Sequence, residues 1–474
     1  FFRPVARYNC GSFRGYVLVH LTLGLDRFER HPGRTIIGIG VVFAIAYVIA
    51  MTMFPRAHGR IIDGDGIQYY AYLRSLVFDQ DVNFINDYQL LYRPENPANV
   101  WTSTRTTTGH AVNLMSIGPA LLWLPVYLLI FGVMVLGSMA GMPIPLDGIA
   151  APFQFAVALS GIAYATAGAF LSYRVCASVF RPAPALWATL VAWLGSPAIY
   201  YSVVSPAYSH AVSLFTIALF VHVWLRTRGD WRPARYALLG ALAGLAAVVR
   251  WQDAIILLLP LGEACLAVAH RTSTLRAIAG RLALMGSVLI VAFTPQALAW
   301  RQIYGHFILT PQGENFMRWT EPQVLAVLFS WNHGLFSWTP AIILAVGGLF
   351  WLIKRDRLLG WGTLAVLLTA IYVNAAVVDW WGGEAFGARR FVSYTVFFTI
   401  GLGALVSSWR WTQWSGTFRI IAVCVIVSNL LFLTQYQIAL RSGGTIIEYP
   451  VSARQVLLER FELPWRLLNH QAQD

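Results

Sequence analysis

Two aspartates separated by one glycine, Asp63-Gly64-Asp65, carry the sharpest chemical signal in the chain. They stand in Ile61-Ile-Asp-Gly-Asp-Gly-Ile-Gln-Tyr-Tyr-Ala-Tyr-Leu-Arg-Ser75, directly after a hydrophobic run from Thr35 to Phe54 that is long enough to cross a bilayer. Paired acids at that boundary are unusual. With Gly64 and Gly66 freeing the backbone, the two carboxylates can converge on a metal ion, or one can stand as a general base. The competing reading is that both cap a helix beginning near Ile67.

Three distant polar stretches hold groups that would complement such acids: Tyr208-Ser-His210, Arg250-Trp-Gln-Asp253 and Asp379-Trp-Trp-Gly-Gly-Glu-Ala-Phe-Gly-Ala-Arg-Arg390. Arg250, Arg389 and Arg390 suit bidentate binding of a phosphate, and Trp380 and Trp381 suit stacking on a sugar face. Gly382, Gly383 and Gly387 would let backbone approach a ligand. Each group also has a plainer role, since arginines snorkel to lipid headgroups and tryptophans anchor helix ends. His210, at a helix start, is a candidate phosphate contact, although a buried histidine is more often satisfied by backbone. His333, just before Gly334 in what reads as a turn, is a further candidate sugar or acceptor contact. Glu314 and Glu384 are candidate acceptor contacts, against the ordinary case of an exposed loop acid.

The elements that must position these residues are membrane helices. Of 474 residues 57% are hydrophobic and 12% charged, with a mean hydropathy of +0.60, which excludes an ordinary soluble chain. The net charge of +13 is almost wholly arginine, with Lys354 the one lysine, and the basic residues fall in short groups between apolar runs. That is the distribution of cytoplasmic loops, not of a nucleic-acid surface. Cys10, Cys176, Cys265 and Cys424 are scattered and imply neither a disulfide framework nor a metal cluster.

An all-α polytopic protein with about eleven to thirteen spans follows. Residues 1–34 read as a cytoplasmic lead-in, 35–438 as the transmembrane domain, and 439–474 as an external tail. The first external loop, 55–110, is long enough to be functional, with short amphipathic pieces at Ile67–Phe78 and Ile85–Tyr92. Counting basic groups back from the end puts the acids, His210, Arg250 and the 379–390 stretch on one outer face. One crossing conflicts: if the run from Val112 to Leu136 spans fully, Arg174 falls on the wrong side. Either that run, with Pro119 and Pro125, is re-entrant, or another span is misplaced.

In this order, an acidic pair after the first span, a long first loop with short helices, and many later spans resemble the GT-C superfamily of integral-membrane glycosyltransferases. The likeness is closest to bacterial members. It rests also on Ser116 to Pro125 (Ser-Ile-Gly-Pro-Ala-Leu-Leu-Trp-Leu-Pro), Ser205 to Ala211 (Ser-Pro-Ala-Tyr-Ser-His-Ala), Leu328 to Pro340 (Leu-Phe-Ser-Trp-Asn-His-Gly-Leu-Phe-Ser-Trp-Thr-Pro) and the Trp-Trp-Gly-Gly-Glu-Ala-Phe-Gly-Ala-Arg-Arg segment, and covers most of residues 35–410. It implies transfer of a sugar from a polyprenyl-phosphate donor to a lipid, glycan or protein acceptor on the external face of a bacterial inner membrane. It gives Asp63 the role of base and Asp65 that of metal or acceptor contact. A divalent cation such as Mg²⁺ or Mn²⁺ is a variable requirement of such enzymes. The alternative on the same scaffold is a non-catalytic membrane subunit or lipid-binding protein, with a partner membrane protein.

Overall fold

The computed structural model describes residues 28–56, 59–92, 100–408, 411–441 and 452–470. Most of the expected lead-in, with Cys10, and parts of the expected tail lie outside the described residues, as does Glu95 in the first loop. Among the described residues there is no strand, only isolated bridges between Arg105 and Ala111 and between Met317 and Val377.

The chain forms α1 (Pro32–Met53), α2 (Asp65–Arg74), α3 (Ile85–Leu91), α4 (Gly118–Met139), α5 (Ala151–Ala177), α6 (Pro182–Leu194), α7 (Ser209–Arg226) and α8 (Pro233–Val249). It continues through α9 (Leu258–Ala269), α10 (Leu275–Tyr304), α11 (Ala341–Arg355), α12 (Arg357–Ala375), α13 (Thr395–Ser408), α14 (Trp411–Arg441) and α15 (Glu459–His470). Pro32, Pro182 and Pro233 open their helices, where the missing N–H costs nothing. Among the described residues nine helices are long and apolar enough to cross a membrane, and α6 and α8 are shorter apolar ones. The protein is an all-α polytopic membrane protein.

Charge separates the two ends of the bundle. At one end Glu29 accepts from Trp187 and from Arg419, each at 2.6 Å, Arg228 meets Asp356 at 2.8 Å, and Arg235 meets Glu263 at 2.7 Å. The other end is built on α2, whose residues from Gly66 to Arg74 are all buried. Its tyrosines face several elements at once. Tyr70 Oη donates to Gly148 O, Tyr72 Oη to Met115 O, and Tyr69 Oη to Ser209 Oγ at 2.8 Å. Gln68 O accepts from Asn113 Nδ2 at 3.0 Å, while its Oε1 accepts from Leu114 N at 2.9 Å.

This platform answers the topology conflict. Tyr88 Oη donates to Val112 O at 3.1 Å and Arg74 Nε donates to Asp147 O at 3.1 Å, so the chain leaves for α4 and returns from it at the same platform. Residues 112–147 therefore begin and end on one side. Meanwhile α5 runs antiparallel to α1, with Phe155 beside Tyr47 and Phe170 beside Gly33. Arg174 thus lies at the basic end with Arg34, as its charge demands. Of the two loop helices expected, one starts two residues earlier, at Asp65, and the other matches at Ile85.

The platform is locked by Arg74, which pairs with Asp79 at 2.5 Å and with fully buried Asp87 at 2.9 Å. Burial pushes the Asp87 carboxyl up to about 6, desolvation outweighing the guanidinium beside it. The folded value lies above that of an unfolded aspartate, so this group's contribution to stability is present in acid and is lost as pH rises through about 6. Thermal unfolding of Asp87→Asn in detergent, measured against wild type from pH 4 to pH 7, should lack the part of the decline that wild type shows across that window. Parallel curves would mean that Asp87 does not report its burial in this way.

Candidate active site

The site begins at Gly64, whose φ of +52° and ψ of −137° belong to glycine. A Cβ there would stand 2.1 Å from the Tyr208 hydroxyl, which accepts from Asp65 N at 3.2 Å. The turn is what sends the two acids different ways. Asp63 bonds to Arg56, which also reaches Val204 O, whereas Asp65 Oδ2 takes Arg389 Nη1 at 2.6 Å across 324 residues of sequence. Helix α2 starts at Asp65 with Gly64 as its N-cap, and no side chain caps it. The capping reading of the acids is therefore not what the structure contains.

Tyr208 is brought up to the acids by close helix packing. A Cβ at Gly161 in α5 would meet Pro206 O at 1.9 Å, so only glycine admits the 205–208 turn at this depth. The turn then opens α7, and His210 on its first turn meets Arg250 Nη1 through Nδ1 at 2.7 Å. A guanidinium can only donate, so Nδ1 accepts, which makes His210 a neutral imidazole carrying its proton on Nε2. Arg250 is placed by the end of α8, where the chain becomes extended before a 3-10 stretch from Trp251 to Leu257.

These groups share one cavity of about 530 Å³, lined by Asp65, His210, Arg250, Arg389 and Arg390. The expectation that both acids stand together with the three arginines of remote loops holds for Asp65, which lines the cavity, and not for Asp63, whose carboxylate lies beyond Gly64 against Arg56. Arg390 grips Asp379 twice, Nη2 to Oδ1 at 2.6 Å and Nη1 to the backbone O at 2.8 Å. Among the lining residues three guanidinium groups face two carboxylates, Asp65 and Asp379, and Arg250 meets histidine rather than an acid. Counted over the lining residues alone the wall carries one more cation than acid, with the buried Asp253 carboxyl near Arg250 just outside it.

Other expected contacts lie elsewhere. Trp380, Trp381 and His333 stand behind Arg389 and Arg390, outside the cavity wall, with His333 Nδ1 at 3.1 Å from Trp381 O. Burial lowers His333 to about 4, and its φ of 61° fits the turn reading. Glu384 and Glu314 are exposed and do not line the cavity, so loop position without burial gave no site. Asp63 and Asp65 are paired with separate arginines on opposite sides of Gly64, so in this arrangement the two carboxylates do not converge on one point. The present side chains do not fit a metal held between the two acids.

In place of Trp380 and Trp381, the tryptophans in the wall are Trp101, Trp251 and Trp300, with Tyr69, Phe316, Gln68, Gln252 and Gln312 also lining it. Trp251 and Gln252 lie within the Arg250–Asp253 stretch and were within reach of sequence reasoning. Trp101 and Trp300 carry no local signal, being one aromatic in a polar loop and one in a long apolar helix.

No protein-family model matches the chain, and no curated protein matches it.

The Gly64 turn makes a direct prediction. Gly64→Ala adds a disfavoured backbone conformation, costing about 1–3 kcal/mol, to the clash with the Tyr208 hydroxyl. Thermal unfolding should show that loss, and a Tyr208→Phe background should recover part of it. Equal losses in both backgrounds would mean that the hydroxyl contact does not shape the turn.

Proposed function

We propose that this protein is an integral-membrane glycosyltransferase of the GT-C type, moving a sugar from a polyprenyl-phosphate donor to a lipid, glycan or protein acceptor. The observation that carries this reading is the single cavity in which a carboxylate, Asp65, stands with Arg250, Arg389, Arg390 and His210 at the end of the bundle away from most basic groups. By the positive-inside rule that end faces the exterior, which for the bacterial type is the periplasm.

In this mechanism the donor phosphate enters among the guanidinium groups and takes Arg389 as a partner. That draws Arg389 from Asp65, and the released carboxylate accepts the proton of the acceptor hydroxyl. The acceptor oxygen forms its bond to the anomeric carbon as the bond from that carbon to the phosphate oxygen breaks. The leaving phosphate keeps the electron pair, and Arg250, Arg389 and Arg390 neutralise its charge. Base and leaving group lie on opposite faces of the sugar, so the transfer inverts. The tryptophan walls offer faces on which a sugar ring stacks. Asp63 acts through structure, holding Arg56 and the turn that presents Asp65.

A non-catalytic lipid-binding subunit is the second reading, and one observation favours it: both acids are already ion-paired. Transfer assays with purified protein and a polyprenyl-phosphate sugar decide between them. Asp65→Asn should lower turnover by about 10²–10⁴-fold while the protein stays folded and still binds donor. Asp63→Asn should act less severely. If Asp63→Asn is inactive and Asp65→Asn turns over normally, the base is Asp63, as the family resemblance implies; donor binding by wild type without any transfer would favour the subunit.

A further inference from the structure

We propose that a second cavity, at the basic end of the bundle, binds the phosphate headgroup of an anionic membrane lipid. This cavity, of about 350 Å³, opens where α5 and α7 end and where α11 passes into α12. Arg226 and Arg228 reach it from α7 and the turn beyond, Arg355 from the last turn of α11, and His222 from one turn deeper in α7. Asp356 is the one acid among its lining residues. That acid is already committed: Oδ2 accepts from Arg228 at 2.8 Å and Oδ1 accepts from Leu359 N at 3.0 Å as the cap of α12. The remaining positive charge belongs to Arg226 and Arg355, and the Arg355 guanidinium also lies 5.4 Å from the centre of the Phe180 ring.

Cations at helix C-termini offset the helix dipole, which accounts for single arginines at the ends of α7 and α11. It does not account for their convergence from separate elements on a concave space where, among the described residues, the one lining carboxylate is taken. A phosphate diester there would receive charge-assisted hydrogen bonds from two guanidinium groups that, among the described residues, pair with no acid. The position at the helix ends, with apolar Val179 and Leu225 in the wall, favours a lipid headgroup over a free anion. The inference is independent of the transfer reaction at the other end.

Native mass spectrometry of the full chain in detergent, with added phosphatidylglycerol or phosphatidylcholine, tests the proposal. Wild type should retain phosphatidylglycerol in preference to phosphatidylcholine, and retention should fall about fivefold for each arginine removed in Arg226→Gln and Arg355→Gln. Arg232→Gln, which changes an arginine 85% exposed and outside the cavity, should leave retention unchanged, separating the site from a general loss of charge. Full retention by the double variant, equal retention of phosphatidylcholine, or an equal loss in Arg232→Gln would overturn the proposal. Displacement of the lipid by millimolar inorganic phosphate would overturn the lipid as occupant in favour of a soluble anion.

Discussion

The ion pair between Asp65 and Arg389 is the interaction on which the site depends. It joins the first residue of α2 to the segment that opens α13, and so fixes an early loop against a late one. Both partners are part-buried, at 30% and 16% side-chain exposure, which is where such a pair is neither solvated away nor excessively costly to desolvate. Everything around it serves the same geometry. The Tyr208 hydroxyl holds the Asp65 backbone, Gly64 leaves room for that hydroxyl, and Gly161 leaves room for the turn that carries Tyr208.

Beneath this pair the protein separates two kinds of polar chemistry along the bundle. At the basic end the arginines are tied to acids in compact pairs, as with Arg235 and Glu263, or stand near the helix ends. Arginines meet open space there too, in the cavity of Arg226, Arg228 and Arg355, but at the platform end two carboxylates, Asp65 and Asp379, face the cavity with them. Arg390 and Asp379 are a closed pair, whereas Arg250 leans on a neutral imidazole, with the buried Asp253 carboxyl near it but outside the wall. In the proposed reading an anionic ligand completes that arrangement, and a phosphate with a sugar attached would set its ring among the tryptophans.

Much of this was legible in the sequence, for identifiable reasons. Hydropathy marked the membrane class and the order of the helices because bilayer length is a strong constraint. Arginine groups marked one end of the bundle, and the parity problem at residues 112–136 showed that either that run or another span was misread, without saying which. Arg250, Arg389, Arg390, His210 and Asp65 were all recognisable, because charged groups beside apolar runs need a reason to be there. Which acid faces the cavity was not, since a single glycine's backbone angles decide it. Nor were Trp101 and Trp300 in the walls, because tertiary packing alone separates a cavity tryptophan from an interfacial one. Trp380 and Trp381 had the conspicuous pattern and proved to stand behind the arginines.

The most direct test is where lipid phosphate sits when the protein is purified from native membrane and imaged at a resolution that shows headgroups. The account predicts phosphate density in the platform-end cavity, within hydrogen-bond distance of Arg250 or Arg389 and on the Asp65 side of Gly64. Phosphate bound instead beside Asp63 and Arg56, or a cavity filled by protein side chains, would contradict it.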